Sequence, residues 1–454
     1  MQVFDLPYAR QPAPLFERLL PMPHPVLLES AAAAHPHARF DIMAAEPSWT
    51  ARWEDDLMVL AGRRTPTRQP LAALGAALGP TRPAADGDPP FCYGYLGWFG
   101  YPLRRTVERQ PAGGPREPTA LPPLWGGWYP WSVVTDHRGR TTRLHVSDAI
   151  SAAERRALTR RLAGQCHSRA RGGFAMTHPF EASFGVDAYT HAFRRVQAHI
   201  AAGDCYQINL ARHFRAPWRG DSDAAPWAAY RALSARQAAP FSAFFGTPFG
   251  AVLSFSPERF LEVHDGRIES CPIKGTVARQ PSPAADRRAH DALVQSAKDR
   301  AENLMIVDLI RNDLGRVCTP GSIVAEPLFD VLALPDVYHL VSTVRGGLRP
   351  GVDALHALAA AFPGGSITGA PKVQAMRIID TLEPVGRSVY CGAIGYVDAS
   401  GRMDTNIAIR TLVIEPETVH CWGGGGLVAD SVCEAELAEI DAKVGALMRA
   451  LEGV

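Results

Sequence analysis

The chain has 454 residues, 46% of them hydrophobic and 20% charged, the composition of a soluble globular protein too long for one ordinary core; two or three domains are expected. A net charge of +1 implies no nucleic acid, acidic polymer or anionic membrane as a partner, and no run approaches the ~20 apolar residues a membrane helix needs. The start, Met1-Gln-Val-Phe-Asp-Leu-Pro, has neither a basic leader nor an apolar signal core, and the eight cysteines (92, 166, 205, 271, 318, 391, 421, 433) form no C-x-x-C pair; both point to a cytoplasmic protein with reduced thiols and no zinc site.

In chain order, Val26-Leu-Leu-Glu-Ser30 and Arg39-Phe-Asp-Ile-Met43 read as strands. Cys92 to Tyr101 alternates glycine with aromatics, which suits a strand with another backbone close by. Gln110 to Pro118 is a loop by its proline and glycine punctuation. Trp125–Val134 and Thr141–Val146 read as two strands around Asp136-His-Arg-Gly, and Ala152–Leu162 as a helix. Residues 164–184, small and basic at first, read as a linker between an N-terminal domain (1–163) and a C-terminal domain (185–454).

Asp187 is placed to cap a helix with the apolar stripe Phe193, Val196 and Ile200, closed by Gly203. Tyr206, Ile208 and Leu210 alternate as a strand, and Ala251–Ser256 and Phe260–His264 follow. His264-Asp-Gly-Arg267 is a hairpin signal leading into Arg267–Ile273, a strand expected to end at Lys274. One long helix is expected from Ala289 to Leu314. A last helix over 431–452 begins with the capping box Ser431-x-x-Glu434. Leu437, Ile440, Val444, Leu447 and Leu451 form its core stripe, with Glu436, Glu439 and Lys443 on the other face.

Lys274 stands between Ile273 and Gly275. Such a lysine either ends a strand in solvent or, if buried, has its pKa brought down to ~7–8, where it acts as nucleophile or base. Pairing of 264 with 267 sets Glu258 opposite Ile273, and one bulge at the turn sets it opposite Lys274 itself. The pair is then a structural ion pair or an acid beside an amine. Glu302 and Glu439, from separate helices, suit a hard cation such as Mg²⁺, which takes one or two carboxylates plus water and substrate oxygens. Pro363 to Lys372 and Gly423 to Gly426 offer backbone amides to an anion; the first is too short, with a proline before its lysine, to be a nucleotide P-loop. Arg410 is able to grip a carboxylate with two donors. Together these describe a site for a small di-anion with a metal, an acid and an amine.

The stretches Gly203-Asp-Cys-Tyr-Gln-Ile-Asn-Leu, Ser256-Pro-Glu-Arg-Phe, Pro272-Ile-Lys-Gly-Thr, Ala297-Lys-Asp-Arg-Ala-Glu-Asn-Leu-Met, Asp308-Leu-Ile-Arg-Asn-Asp-Leu-Gly-Arg, His339-Leu-Val-Ser, Phe362-Pro-Gly-Gly-Ser-Ile-Thr-Gly-Ala-Pro-Lys and Gly424-Gly-Gly-Leu-Val-Ala-Asp-Ser resemble the chorismate-utilising enzymes. That group includes anthranilate synthase component I and the isochorismate and salicylate synthases. Residues before 164, with Ala38-Arg-Phe-Asp-Ile and Leu96-Gly-Trp-Phe-Gly-Tyr, look like the partner domain of the same family. The resemblance implies an α+β fold with large antiparallel β-sheets packed as a sandwich and flanking helices.

The resemblance also assigns roles. Anthranilate synthases carry alanine where Lys274 stands, and isochorismate-type members a water-activating lysine where this chain has Gln207. Lys274 with Gln207 looks like the branch that aminates chorismate at C4. It implies Mg²⁺ held by Glu302 and Glu439. Gly275, Thr276, Tyr390, Arg410, Gly424, Gly425, Gly426 and Lys443 become substrate grips. Glu258 becomes the general acid for the C4 hydroxyl and Lys274 a nucleophile at C2. Ammonia is expected from a separate glutamine amidotransferase subunit, because no cysteine here sits in a glycine-rich nucleophile elbow. Leu28, Glu29 and Ser30 resemble the element that binds inhibitory tryptophan in anthranilate synthases; they either hold an amino-acid effector or form a plain strand.

Overall fold

The computed structural model describes residues 1–30, 35–108, 114–164, 173–334 and 337–453. The expected loop residues 110–113, the linker residues 165–172 and Cys166 lie outside that set.

Alternating apolar residues build two large antiparallel sheets. Along Phe241–Thr247, Ala243 and Phe245 face one core and Phe244 the other. Along Thr411–Ile414, Val413 faces the first while Leu412 and Ile414 face the second. The first core lies between the sheets. Phe245 from one sheet meets Trp98 and Trp125 from the other edge-on, at ring distances of 6.1 and 6.4 Å. The second core lies under helices such as Val186–Ala201, Lys372–Leu382 and Cys433–Glu452. A sandwich with flanking helices is therefore the fold.

Both sheets run through both halves of the chain. In the larger, Val26–Glu29 from the first half pairs with Phe241–Thr247 from the second. In the other, Gly94–Phe99 pairs with Ala393–Asp398. The halves divided at 164–184 share one inter-sheet core. The described part of the expected linker is itself extended: Phe174–Met176 and Glu181–Ala182 pair with Gln207–Gly220.

Several local expectations are corrected. Trp125–Val134 is two strands, Leu124–Tyr129 and Trp131–Asp136, in different sheets, because Pro130 supplies no N–H for a continuous ladder. Asp187 lies in the first turn of Val186–Ala201, whose cap is Gly185. The long helix is two, Pro283–Gln295 and Ala297–Gly315, broken at Ser296, whose hydroxyl accepts from the Asp299 N–H and so starts the second. Ser431 forms no capping box with Glu434. The helix starts at Cys433, and Ser431 donates to Glu436 instead, at 2.7 Å. The strand entering Lys274 also does not end there. Arg267–Ser270 stops before Cys271-Pro272, and a new strand, Ile273–Ala278, joins Asp330–Ala333 and Val337–Val341 in a separate three-stranded sheet.

The sheet end that carries the glycine-rich segments is braced by one buried ion pair. Arg387 and Glu383, 1% and 4% exposed, meet at 2.6 Å. Arg387 also donates to the carbonyls of Asn209 (2.6 Å) and Ile367 (2.9 Å), and Glu383 accepts the Ala211 N–H (2.8 Å). Nearby, Lys372, the lysine of the glycine-rich motif, is a brace as well: it donates to Asp313 (2.6 Å) and to the Ala361 carbonyl (2.9 Å). Removing one partner of such a pair strands a buried charge. Arg387→Met is expected to cost about 3–5 kcal/mol in chemical denaturation. Adding Glu383→Gln, which neutralises the stranded carboxylate yet still accepts from Ala211, is expected to restore part of it; an unchanged midpoint in Arg387→Met refutes the brace.

Candidate active site

The hairpin register is as the sequence implies: His264 pairs with Arg267 across Asp265 and Gly266, both at positive φ. The ladder ends at Ser270, and Glu258 lies just before its first strand, near enough to the Ile273 N–H and to Lys274 to feel both. Glu258 is 7% exposed. Its close partner is Ser366, which donates to Oε1 at 3.0 Å. Burial pushes the Glu258 carboxyl up to about 7; Ser366, Lys274 and the Ile273 N–H pull the other way without winning. This is a carboxyl poised to give a proton near neutrality.

Lys274 is the second residue of its strand, opposite Leu340. The register slips between Lys274 and Thr276, and Gly275, at φ +76°, is the extra residue. A Cβ on Gly275 would lie 2.9 Å from Leu293 and 3.0 Å from Asp299, so only glycine fits. Burial holds the Lys274 amine below the ordinary lysine range, against the pull of Glu302. Lys274 does not form an ion pair with Glu258: the carboxylate within reach is Glu302, at 3.9 Å.

Glu302 and Glu439 come from Ala297–Gly315 and Cys433–Glu452 and lie near enough to perturb each other. Burial, with help from Asp299 and Glu439, raises the Glu302 carboxyl. Glu439, though partly buried, is held below its usual value by Lys443, 2.6 Å away. Glu302 accepts no hydrogen bond among the described residues. An oxygen-only pair with mutual repulsion to relieve is the donor set a hard dication fits. Among the described residues no group of three or more His, Cys, Asp or Glu is drawn together as a metal cage, so a metal here takes its other ligands from water and substrate. Glu436, expected on the solvated face, is buried; a Cβ on Gly425 would stand 2.8 Å from its Oε2.

The expected grips converge from several elements. Lys443 donates to the Gly424 carbonyl at 3.1 Å. The Tyr390 hydroxyl lies 3.1 Å from where a Gly424 Cβ would be, its ring parallel to Trp422. A Cβ on Gly426 would meet the Gln207 amide and the Lys274 amine. Thr276 bonds His339 Nδ1 at 2.9 Å, and burial plus the Arg410 charge lowers His339 to about 4, so its imidazole is neutral. Arg410, at φ +50°, makes no side-chain hydrogen bond or ion pair among the described residues, leaving its donors available to an anion.

Leu28, Glu29 and Ser30 lie elsewhere. They line a cavity of about 380 Å³ with Phe241, Arg259 and Tyr396, and none of the residues above borders it. Burial, then Asp41, pushes Glu29 up to about 7. The sequence reading missed Ser366 and Glu436. Ser366 lay in a loop read only for its amides, and Glu436 on a helix face read as solvated.

Residues 24–449 match the model of the chorismate binding enzyme family. The chain is 44% identical over 436 residues, 95% of this chain and 94% of the relative, to aminodeoxychorismate synthase component 1 of Salmonella typhimurium. It is 42% identical to the Escherichia coli protein of that name over 442 residues, 96% and 95% of the two chains. Anthranilate synthase component I from Streptococcus pneumoniae has the same fold, with a TM-score of 0.81 and 28% identity over 91% of this chain and 92% of that one.

The elevated carboxyl has a sign that is open to measurement. Its folded value, about 7, lies above the ordinary 4.5, so ionising it disfavours the fold, and stability falls as pH rises between those values. Glu258→Gln is therefore expected to gain stability over the wild type as pH rises through that window. The infrared carboxyl band lost in that variant should titrate near the upper value, and higher in Ser366→Ala. A midpoint in the ordinary carboxylate range refutes the assignment.

Proposed function

The chain belongs to the chorismate-binding enzyme family, and we propose that within it this protein converts chorismate and ammonia to 4-amino-4-deoxychorismate, as component I of an aminodeoxychorismate synthase. The observation that carries the choice is Lys274: a buried amine at the site, with Glu258 placed as the acid. In class the reaction is an amination of the transaminase type. The relatives' printed designation as component 1 supports a separate partner, read here as a glutamine amidotransferase subunit supplying ammonia in the cytoplasm. No helix among the described residues is long and apolar enough to cross a membrane.

Arg410, Tyr390, Lys443, Thr276 and the amides of Gly275 and Gly424 to Gly426 bind the two carboxylates and orient the ring. Glu302 and Glu439 would hold Mg²⁺, which supplies positive charge to the ring carboxylate. Lys274 Nζ, as the free amine, attacks C2. The ring double bonds shift, the C4–O bond breaks, and the Glu258 carboxyl gives its proton to the leaving hydroxyl, which departs as water. The adduct nitrogen then loses a proton, and Glu258 is placed to recover it. Ammonia next adds at C4, the double bonds shift back, and the C2–N bond breaks as the Glu258 carboxyl protonates the departing lysine nitrogen; Glu258 then takes back the proton that the new C4 ammonium sheds. Covalent capture splits one difficult displacement into two easier ones. It also occupies C2, so ammonia is directed to C4. The cavity at Leu28, Glu29 and Ser30 is read as the place of an amino-acid effector, since its charged walls and aromatic lining suit a zwitterion with an apolar side chain.

With chorismate, Mg²⁺ and an ammonium salt, the purified chain is expected to form the 4-amino product, trapped as p-aminobenzoate by an added lyase; anthranilate as the main product overturns the reading. Lys274→Ala should lose about 10²-fold or more in that assay, and full activity there removes the nucleophile. Glu302→Ala and Glu439→Ala should each abolish the response of activity and of thermal stability to added Mg²⁺; an unchanged response moves the metal elsewhere.

A further inference from the structure

Gln207 opens the strand Gln207–Gly220. It shares a strand face with Asn209 and Ala211, turned to the inter-sheet side, while Ile208 and Leu210 face the helix-covered core. It is 0% exposed. Both polar atoms of its carboxamide, Oε1 and Nε2, are buried without a hydrogen-bond partner. An amide so placed is costly: a buried donor or acceptor left unpaired forfeits about 1–3 kcal/mol. Strand pairing needs no glutamine here, because the ladder to Gly369 and Ala370 is made by the backbone. The carboxamide is thus held for a group that the chain's other contacts do not supply.

Gly426 identifies that group. It lies beside Gln207 on the neighbouring strand, in register with Asn209. The three nearest atoms to a Cβ built on Gly426 are Gln207 Nε2 at 2.5 Å, Gln207 Cδ at 3.3 Å and Lys274 Nζ at 3.4 Å. The amide end and the amine therefore both lie within 3.4 Å of one point, and that point is open because residue 426 has no side chain. The carboxylate within ion-pair distance of Lys274, among the described residues, is Glu302, at 3.9 Å and beyond hydrogen-bond reach. Each side chain lacks a close polar partner, and both end beside the same glycine.

We infer that Gln207 is the positioning residue of the lysine nucleophile: its carboxamide oxygen accepts an N–H of Lys274, fixing the direction in which the nitrogen lone pair points at C2. Neither amide atom has another bond to keep, so the carboxamide turns through half a circle to present Oε1 without loss. The contact also survives the reaction. A primary amine has two N–H bonds, and after C–N bond formation and loss of a proton the adduct nitrogen still has one. Gln207 therefore holds the same nitrogen before and after attack. As an amide it neither takes nor gives a proton, so the step's proton balance stays with the lysine and Glu258. This inference rests on the C4-amination reading, in which Lys274 attacks.

The test uses Gln207→Met, an unbranched isostere that cannot hydrogen-bond. Aiming errors of about 1 Å cost about 10²-fold in rate. The first-order rate of Lys274 adduct formation, followed by rapid quench and intact-protein mass spectrometry, is accordingly expected to fall by about 10- to 100-fold, with kcat falling in step. KM for chorismate should stay within about twofold. Because Nε2 stays buried and unpaired even when Oε1 holds the lysine, removing the carboxamide offsets the lost bond, and the variant should melt at the same or a higher temperature than the wild type. Calorimetric Kd values for chorismate in Lys274→Ala and in Lys274→Ala/Gln207→Met should agree within about twofold. A roughly tenfold weakening in the double variant shows that Gln207 grips the substrate itself and overturns the inference. An unchanged adduct rate, or a lowered melting temperature that accounts for the loss, overturns it too. Failure of the underlying reading shows separately, as a wild-type chain that forms no 4-amino product.

Discussion

The Arg387–Glu383 pair is the constraint on which the site's geometry depends. Neither partner is exposed enough for water to share the charge. Each spends its remaining hydrogen-bonding capacity on backbone: Arg387 on the carbonyls of Asn209 and Ile367, Glu383 on the N–H of Ala211. Asn209 and Ala211 sit in the strand that begins with Gln207; Ile367 sits in the turn that carries Ser366. One ion pair therefore fixes the spacing between the strand with the amide and the loop with the acid's hydroxyl partner. A buried pair of this kind adds little net stability by itself. What it supplies is definition, since any displacement of either segment leaves a charge or a carbonyl unpaired in a dry interior.

On that frame the site sets groups of the same chemical type to different tasks by environment. Glu258, enclosed and given one close donor, Ser366, has its carboxyl pushed up to about 7 by burial. Glu439, beside Lys443, is held ionised. Lys274 is buried among carboxylates it does not closely touch, whereas Lys372 is locked to Asp313 and serves structure. Arg410 has no protein partner among the described residues, whereas Arg387 is saturated with them. The unsaturated members are those proposed to meet the substrate.

Much of this was legible in the sequence, and what was not failed for physical reasons. The Asp265-Gly266 turn set a register that holds from His264–Arg267 to Glu262–Glu269, and so brought Glu258 and Lys274 to the same end of one hairpin. Charged residues at helical spacing placed Glu302 and Glu439 on separate helices. Three things were hidden. A single serine, Ser296, divides one apparent helix, because a cap signal inside a helical pattern reads the same as a tolerated polar residue. Pro130 sends two halves of one apolar run to different sheets, and sheet membership is a long-range property that local alternation does not carry. Glu436 looked solvated because periodicity ranks the faces of a helix by hydrophobicity and says nothing of a polar face turned to a polar site. The braiding of both halves through both sheets was likewise invisible, since strand order is not written in strand pattern.

The small sheet that carries Lys274 has a wider consequence. Ile273–Ala278, Asp330–Ala333 and Val337–Val341 bond to one another and to neither large sheet, and their apolar contacts, Leu293, Tyr338 and Leu340, form a core of their own. Lys274 is therefore mounted on a small sheet with an apolar core of its own, while its amine reaches toward Gly426 of the larger sheet. The backbone of Lys274 pairs within that small sheet, whereas Arg387 and Glu383 bond directly to a strand of the larger sheet and to the turn at Ile367. The ion pair that braces the larger sheet and the amine proposed to act at C2 thus sit on separately bonded sheets.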